Sequence, residues 1–315
     1  MKILIPTTLT PAMFGAGTNI PVVDTGAGEV AWVTGSTYAV ADRRTDEGYT
    51  YECVKIVSGA PANTLKPSTP AAAEYCLKDE NAPTNRMAPF GDYLFTKARR
   101  TNTLTYVLNP GFITGVALYG LEADTYSYTY KDAPGGTVLA SDSGDLYEQA
   151  FGLYEYLFGN LQRTEKLTAD LPLTPTGELT ITLSTTDIAD VAAVGFISVG
   201  QWYSFLAPNT NLGGTQYGIN VTAKDYSYYK QNEDGTYIKK QGRQAKIIQG
   251  SAMIAAAFAP SAEAVLRKII KTAVAVDFSP EPKYSHLATV GFVTGTVSSD
   301  TWSTANINFR IEGNV

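Results

Sequence analysis

The stretch DTYSYTYK, residues 124–131, alternates tyrosine with a small hydroxyl residue. Tyr126, Tyr128 and Tyr130 would share one face of a strand, because successive side chains of a strand point to opposite faces. The composition agrees, with 20 Tyr, 28 Gly and 16 Pro in 315 residues. Tyrosine favours pleated surfaces, whereas glycine and proline favour tight turns. The stretch therefore predicts a β-strand in a mainly β protein.

Short runs of the same kind lie on both sides of this stretch. ELTITL alternates similarly, with Leu179, Ile181 and Leu183 predicted to face inward. TLTYVL, TGVALYGL, GTVLAS and AAVGFISVG add further strand candidates, with glycine and proline turn signals between them. Such spacing is typical of a sandwich, so residues 81–210 are predicted to form a connector and a jelly-roll-like β-sandwich.

Residues 1–80 are predicted to form a small β module that ends in the linker APANTLKPSTPAAAE. Its strand candidates are EVAWV and YTYECVKIV. Cys53 and Cys76 are the only cysteines of the chain. Because the N-terminus does not resemble an export signal, we expect reduced thiols, with a disulfide inside the module as the alternative.

Residues 211–315 are predicted to form an α+β domain. A hairpin is expected at Asp234-Gly235, between two tyrosine-rich alternating runs. One amphipathic helix follows, with Ser261 as its predicted N-cap. The apolar residues at helical spacing are Ala262, Val265, Leu266, Ile269 and Ile270. Two more strand candidates, LATVGFVTGTV and NINFRIEG, end the chain.

The charge balance argues against nucleic acid as a partner, and the length of the apolar runs argues against a membrane. The net charge is −6 and the pI is about 5.0, whereas a nucleic-acid surface needs a surplus of lysine and arginine. The pairs Arg43-Arg44, Arg99-Arg100 and Lys239-Lys240 are interpreted as solvated strand ends. No apolar run reaches the roughly 20 residues that span a bilayer, so no membrane insertion is expected.

Residues for catalysis or metal binding are few. His286 is the only histidine, and the two cysteines are not part of a CxxC pair. No two of the 30 acids stand out as a pair for glycoside hydrolysis. We therefore expect no enzymatic activity, no cofactor and no metal site.

The segment AWVTGSTYAVADRRTDEGYTYECV resembles the small chitin-binding-type modules of secreted glycosidases. The residues that fit are Trp32, Tyr38, Asp42, Gly48, Tyr51 and Cys53, while Ala41 stands where those modules usually have glycine. Sugar rings stack their apolar C–H faces on flat aromatic side chains. The resemblance thus makes Trp32, Tyr38, Tyr49 and Tyr51 candidate carbohydrate-binding residues. The alternative is that Trp32 and Tyr51 form the core of the module.

Five further motifs occur in the order seen in a group of bacteriophage virion proteins that are often labelled carbohydrate-binding. They are PTNR at 83–86, Phe90 with Gly91-Asp92, LGGTQYG at 212–218, DYS at 225–227 and IEG at 311–313. The resemblance covers nearly the whole chain.

The stretch NAPTNRMAPFGDY, residues 81–93, is then interpreted as a structured connector. Thr84 and Asn85 are predicted to close a turn through side-chain bonds to the backbone. Arg86 is predicted to dock against a carbonyl or an acid, and Phe90 to anchor the segment to the sandwich.

The resemblance implies a structural protein of a phage tail, located at the tip, baseplate or collar. Several copies, three or six, would form a ring with other virion tail proteins after synthesis in the host cytoplasm. Two alternatives remain open: an adhesin that binds host surface glycans, and a tail-associated polysaccharide depolymerase.

Overall fold

The structure is a computed structural model that describes residues 1–147, 152–158, 166–205, 214–231, 234–278, 282–299 and 301–313. The protein is mainly β, with 50% of its residues in strands. Its contacts divide the chain into two units: Thr8–Ile197, and Met1–Thr7 together with Ser198–Val315. The division into three pieces at 80 and 210 stays a prediction. Leu212 and Gly213 of the LGGTQYG motif lie outside the described residues.

The strands are numbered in chain order. The first eleven are β1 Lys2–Pro6, β2 Arg43–Asp46, β3 Tyr49–Cys53, β4 Cys76–Pro83, β5 Ala98–Thr101, β6 Thr103–Leu108, β7 Ile113–Tyr119, β8 Thr125–Lys131, β9 Val138–Asp145, β10 Lys166–Thr174 and β11 Glu178–Ser184. The others are β12 Val191–Val194, β13 Phe196–Ser204, β14 Gly214–Thr215, β15 Asn220–Asp225, β16 Tyr228–Gln231, β17 Tyr237–Lys240, β18 Gln244–Ala255, β19 Ala273–Asp277, β20 Thr289–Ser299 and β21 Thr304–Gly313. The α-helices are α1 Leu153–Phe158 and α2 Ala259–Ile269.

The two alternating runs form neighbouring strands in the unit Thr8–Ile197. They are β8 and β11 of a four-stranded antiparallel sheet, ordered β6-β11-β8-β9. The register places Tyr126, Tyr128 and Tyr130 opposite Leu183, Ile181 and Leu179. All three aliphatic residues are buried, as predicted, and Tyr130 is fully buried beside them. Alternation in sequence has thus placed these six side chains on one face of the sheet, where Tyr126 and Tyr128 are partly buried and the other four are buried.

The same unit contains a three-stranded antiparallel sheet, β2-β3-β4, and a two-stranded one, β5-β12. Cys53 and Cys76 are directly opposite each other on β3 and β4. The small core beside this sheet consists of Tyr38, Tyr51, Cys53, Val57, Ala62 and Cys76. Strand β10 pairs with β7 elsewhere in the unit.

The other unit is built on an antiparallel sheet with the strand order β13-β1-β19-β20-β21-β18. Both β14 and β15 pair with β18. The chain's first strand therefore lies between two strands from its second half. The core residues include Ile3, Ile248, Val274, Ile307 and Ile311, all fully buried.

Helix α2 packs against β20 through Ala262, Leu266 and Ile269, which are buried. The helix was predicted, but Ser261 as its cap was wrong. The helix begins at Ala259, and Phe258 occupies the N-cap without a side-chain hydrogen bond. Pro260 explains the earlier start, since proline's fixed φ suits the first turn of a helix. No helix in the described ranges is long and apolar enough to cross a membrane.

Candidate functional site

Two of the four aromatic candidates for sugar binding lie in the core of the N-terminal module. Tyr38 and Tyr51 are only 4% and 7% exposed. The Tyr38 hydroxyl donates to the Val33 carbonyl at 3.0 Å and accepts from the Val33 N–H at 2.8 Å. Burial raises the pKa of Tyr51. The position of Tyr51 agrees with the alternative interpretation, in which Trp32 and Tyr51 form the core of the module. Tyr38, which was not part of that alternative, is a core residue as well.

The other two candidates, Trp32 and Tyr49, are half-buried. Trp32 stacks on Tyr38 with ring centroids 4.4 Å apart, and its indole N–H is buried without a partner among the described residues. The Lys78 ammonium lies 3.6 Å from the centroid of the Tyr49 ring. A sugar-binding role for the four residues stays a prediction, and the exposed ring surface belongs to Trp32 and Tyr49.

The connector crosses the module at Thr84, which is 1% exposed. Its hydroxyl and its N–H both donate to the Gly48 carbonyl, at 3.0 and 3.1 Å. The Thr84 carbonyl accepts from the N–H groups of Met87 and Ala88. The turn is therefore closed by the backbone, and the Thr84 side chain holds the connector to the loop between β2 and β3.

Arg86 and Phe90 dock the connector through aromatic contacts. The Arg86 guanidinium lies 4.5 Å from the Phe14 ring centroid, where the sequence had suggested a carbonyl or an acid. Burial lowers the pKa of Arg86. The Phe90 ring meets Phe14 and Tyr106 edge to face, with centroids 5.5 and 5.4 Å away. Because Tyr106 belongs to β6, Phe90 ties the connector to the four-stranded sheet, as its anchoring role requires.

Asn85 bonds to strand β5 in the way that a neighbouring strand would. Its Oδ1 accepts from the Arg99 N–H at 2.8 Å, and its Nδ2 donates to the Arg99 carbonyl at 2.9 Å. The same Nδ2 donates to Asp24 Oδ2 at 2.7 Å. One side chain thus joins the N-terminal loop, the connector and β5.

Glu29 completes this network. One of its carboxylate oxygens accepts from the Asn85 N–H, and the other accepts from the Asp24 N–H at 2.7 Å. Burial raises the pKa of Glu29, and the two backbone bonds oppose that shift. Asp24 also accepts from the N–H groups of Gly26 and Ala27. Every oxygen of the two carboxylates therefore has a partner.

These residues lie beside a cleft of about 920 Å³ within the unit Thr8–Ile197. Residues of β2, β3, β5 and β12 and of the connector line it. The lining contains two carboxylates, Asp24 and Glu29. Its four cations are Arg43, Lys97, Arg99 and Arg100. The cleft therefore has a positive balance in a chain whose net charge is −6.

Two of the cations are paired and two are not. Arg43 contacts Glu52 at 3.2 Å and Asp79 at 2.9 Å, and Lys97 pairs with Glu122. The Arg99-Arg100 pair is exposed on β5, and no acid pairs with it in the part of the chain that the structure describes. The sequence predicted an exposed strand end here. The sequence shows the Arg99-Arg100 pair, but no sequence pattern indicates that this pair lines a cleft.

His286 belongs to the other unit. It is exposed, and its carbonyl accepts from Lys246 Nζ at 2.7 Å. A smaller cleft of about 370 Å³ includes His286, Tyr217 and Tyr284, and the residues known to line it include no acid. Within the described ranges, no three side chains of the His, Cys, Asp and Glu types are grouped as metal ligands.

Comparison with protein-family models, with curated proteins and with solved structures found no match.

The two cysteines allow a test of the module's core. Both are buried free thiols with their sulfur atoms 3.1 Å apart. Burial, followed by the bond to Cys53, raises the pKa of Cys76 to about 12. Because only thiolates are alkylated efficiently, we expect iodoacetamide at about pH 8 to leave native Cys76 unlabelled and to label both cysteines in urea. Rapid native labelling would contradict this, and mass spectrometry would detect it. Failure to label in urea without reductant would indicate a disulfide.

Proposed function

We propose that this chain is a structural protein of a bacteriophage tail, located at the tip, baseplate or collar. Several copies, three or six, form a ring and contact other tail proteins and, in part, host surface glycans. The proposal includes the three-piece layout, with a small N-terminal module, a central jelly-roll-like sandwich and a C-terminal α+β domain. The ordered virion-type motifs support this assignment, and one surface supports assembly.

That surface is the tyrosine hairpin, defined as β16 and β17. The hairpin was predicted at Asp234-Gly235 and is confirmed, with Tyr228 opposite Lys240 and Gln231 opposite Tyr237. Within the described residues the two strands pair only with each other. All eight of their residues are exposed. The large apolar or aromatic ones are Tyr228, Tyr229, Tyr237 and Ile238, each more than half exposed.

A two-stranded hairpin in water is marginally stable by itself. Tyrosine gives a large contact area at low cost in side-chain entropy and is enriched at protein interfaces. Exposed tyrosines on both faces of such a hairpin therefore favour a partner that covers them. The exposure of these tyrosines is the main support for the proposed assembly.

Charge favours a second copy as that partner. The hairpin strands, YYKQ and YIKK, contain three lysines and no acid, whereas the chain as a whole has a net charge of −6. The hairpin is thus complementary to the acidic remainder of another copy. A contact between unlike surfaces is heterologous, and heterologous contacts form a ring when the rotation between successive copies closes.

The test is the mass of the protein in solution. We expect the wild type to sediment as a ring-sized species at concentrations of about 10–100 μM, typical of weak assemblies. The double variant Tyr228→Ser/Tyr237→Ser removes one ring from each face. Since a central interface residue is worth about 2 kcal/mol, its association should weaken at least roughly 30-fold.

Tyr217→Ser is the matched control, because Tyr217 is fully exposed but lies outside the hairpin. It should assemble like the wild type. A monomeric wild type, or equal loss of assembly in the control, would contradict the role of the hairpin. Circular dichroism should show the same β content in all three proteins.

A further inference from the structure

The cleft beside Asn85 has a positive charge that the proposed ring assembly does not use. Its two carboxylates are occupied, since Asp24 and Glu29 each accept from backbone N–H groups and Asp24 also accepts from Asn85. Two of its four cations, Arg43 and Lys97, have acidic partners. The charge left for a ligand is therefore that of two neighbouring arginines on β5.

Arginine has the chemistry to select that ligand. Its planar guanidinium binds carboxylate and phosphate groups through two parallel hydrogen bonds, and such charge-assisted bonds are stronger than neutral ones. Arg99 and Arg100 are exposed, and no described acid pairs with them. The backbone of Arg99 is fixed by the two bonds to Asn85. The connector thus fixes the backbone of Arg99 at the cleft that this residue lines.

The rest of the lining suits a sugar. Thr50, Asn81 and Thr101 offer hydroxyl and amide groups for hydrogen bonds to sugar hydroxyls. Phe95 is 37% exposed, stacks with Tyr93 at 5.2 Å and offers an aromatic surface to C–H groups. The volume of about 920 Å³ is at the upper end of the range for ligand sites, roughly 300–1,000 Å³. An oligosaccharide of a few units has this size.

We propose that this cleft binds an acidic oligosaccharide whose carboxylates pair with the guanidinium groups of Arg99 and Arg100, which leave β5 on opposite faces. The inference rests on the glycan contact in the proposed function and specifies the class of glycan and the residues that bind it. None of these residues is among the four aromatic candidates of the N-terminal module. A nucleic acid is the less favoured polyanion. Binding to DNA at physiological salt requires contacts to many phosphates, and the net charge of the chain is −6.

The experiment is calorimetric titration of the full chain with tetragalacturonate at about 50 mM salt, where screening is weak. We expect binding that weakens at least about tenfold in the double variant Arg99→Gln/Arg100→Gln, since it loses the charge-assisted bonds to the carboxylates. Lys268→Gln/Lys271→Gln is the matched control, because it removes the same charge from exposed positions that belong neither to the cleft nor to the tyrosine hairpin. It should bind like the wild type. Neutral maltotetraose should bind at least about tenfold more weakly than tetragalacturonate.

Three results would overturn the inference: no binding by the wild type, equal loss in both double variants, or tighter binding of an oligothymidylate than of tetragalacturonate. Competition with inorganic phosphate distinguishes a phosphate ligand from a carboxylate ligand. If inorganic phosphate displaces tetragalacturonate at lower concentration than galacturonate does, the preferred anion is a phosphate and the carboxylate assignment is wrong. Since Arg99 and Arg100 are exposed, their replacement should leave the unfolding transition unchanged.

Sedimentation separates this inference from the proposed function. The variant Arg99→Gln/Arg100→Gln should assemble like the wild type without binding the sugar. The hairpin variant Tyr228→Ser/Tyr237→Ser should bind the sugar without assembling. Failure of one test therefore leaves the other intact.

Discussion

Replacing Gly291 by alanine is expected to destabilise the unit that contains β20 and β21 by roughly 3 kcal/mol, the upper end of the usual cost of overpacking. Gly291 lies opposite Gly313 in the register of these strands. A Cβ atom at position 291 would lie 2.1 Å from the Glu312 carbonyl oxygen and 2.7 Å from its carbon. Those are backbone atoms, so the contact can be relieved only if the two strands separate.

Gly295→Ala in the same strand is the matched control. There the new Cβ would lie 3.2 Å from the Asn308 carbonyl oxygen and 3.3 Å from Leu266 Cδ1, a flexible side-chain atom. We expect a loss of about 1 kcal/mol or less. Hydrogen exchange of peptides from β20 and β21 is the suitable measurement, because it reports on this unit alone. Equal protection in Gly291→Ala and the wild type would contradict the register.

The second large effect is expected from Asn85→Asp, which preserves the shape of the side chain. The introduced carboxylate cannot donate to Asp24 Oδ2 or to the Arg99 carbonyl, now 2.7 and 2.9 Å from Nδ2. It also places a second negative charge beside Asp24. We expect a loss of roughly 2–4 kcal/mol near pH 7, from unsatisfied partners and like-charge repulsion.

The loss should depend on pH in a defined direction. The neighbouring Asp24 raises the pKa of the introduced carboxyl above its unfolded value of about 3.9. The folded variant then binds more protons than the unfolded variant, so its stability falls as pH rises from about 4 to the raised pKa. Urea unfolding at several pH values should therefore show the smallest difference from the wild type below about pH 4.

Asn81→Asp is the control for this substitution. Asn81 lines the same cleft and is exposed, and only its backbone N–H bonds to a carboxylate, that of Asp79. We expect a change within about 0.5 kcal/mol, as for most surface positions. If Asn81→Asp and Asn85→Asp lower the free energy of unfolding equally, the added negative charge in the cleft would explain the loss. The three hydrogen bonds of the Asn85 amide would then not be its cause.

The sequence determined the local elements of this protein. The alternation in DTYSYTYK and ELTITL predicted β8 and β11, and it predicted the buried face of β11. Asp234-Gly235 predicted the tyrosine hairpin, and the spacing of Ala262, Leu266 and Ile269 predicted α2. Each of these features depends on residues a few positions apart, where side-chain periodicity and turn chemistry act directly.

The tertiary structure alone decided the site. Asn85 was predicted to bond within its own turn, yet its side chain bonds to Asp24 and Arg99, which are 61 and 14 positions away. Tyr38 was a candidate for binding and is buried. Strand β1 pairs with β13 and β19, from the second half of the chain. Such contacts leave no periodic trace in the sequence, because they depend on which distant segments meet when apolar faces are buried together.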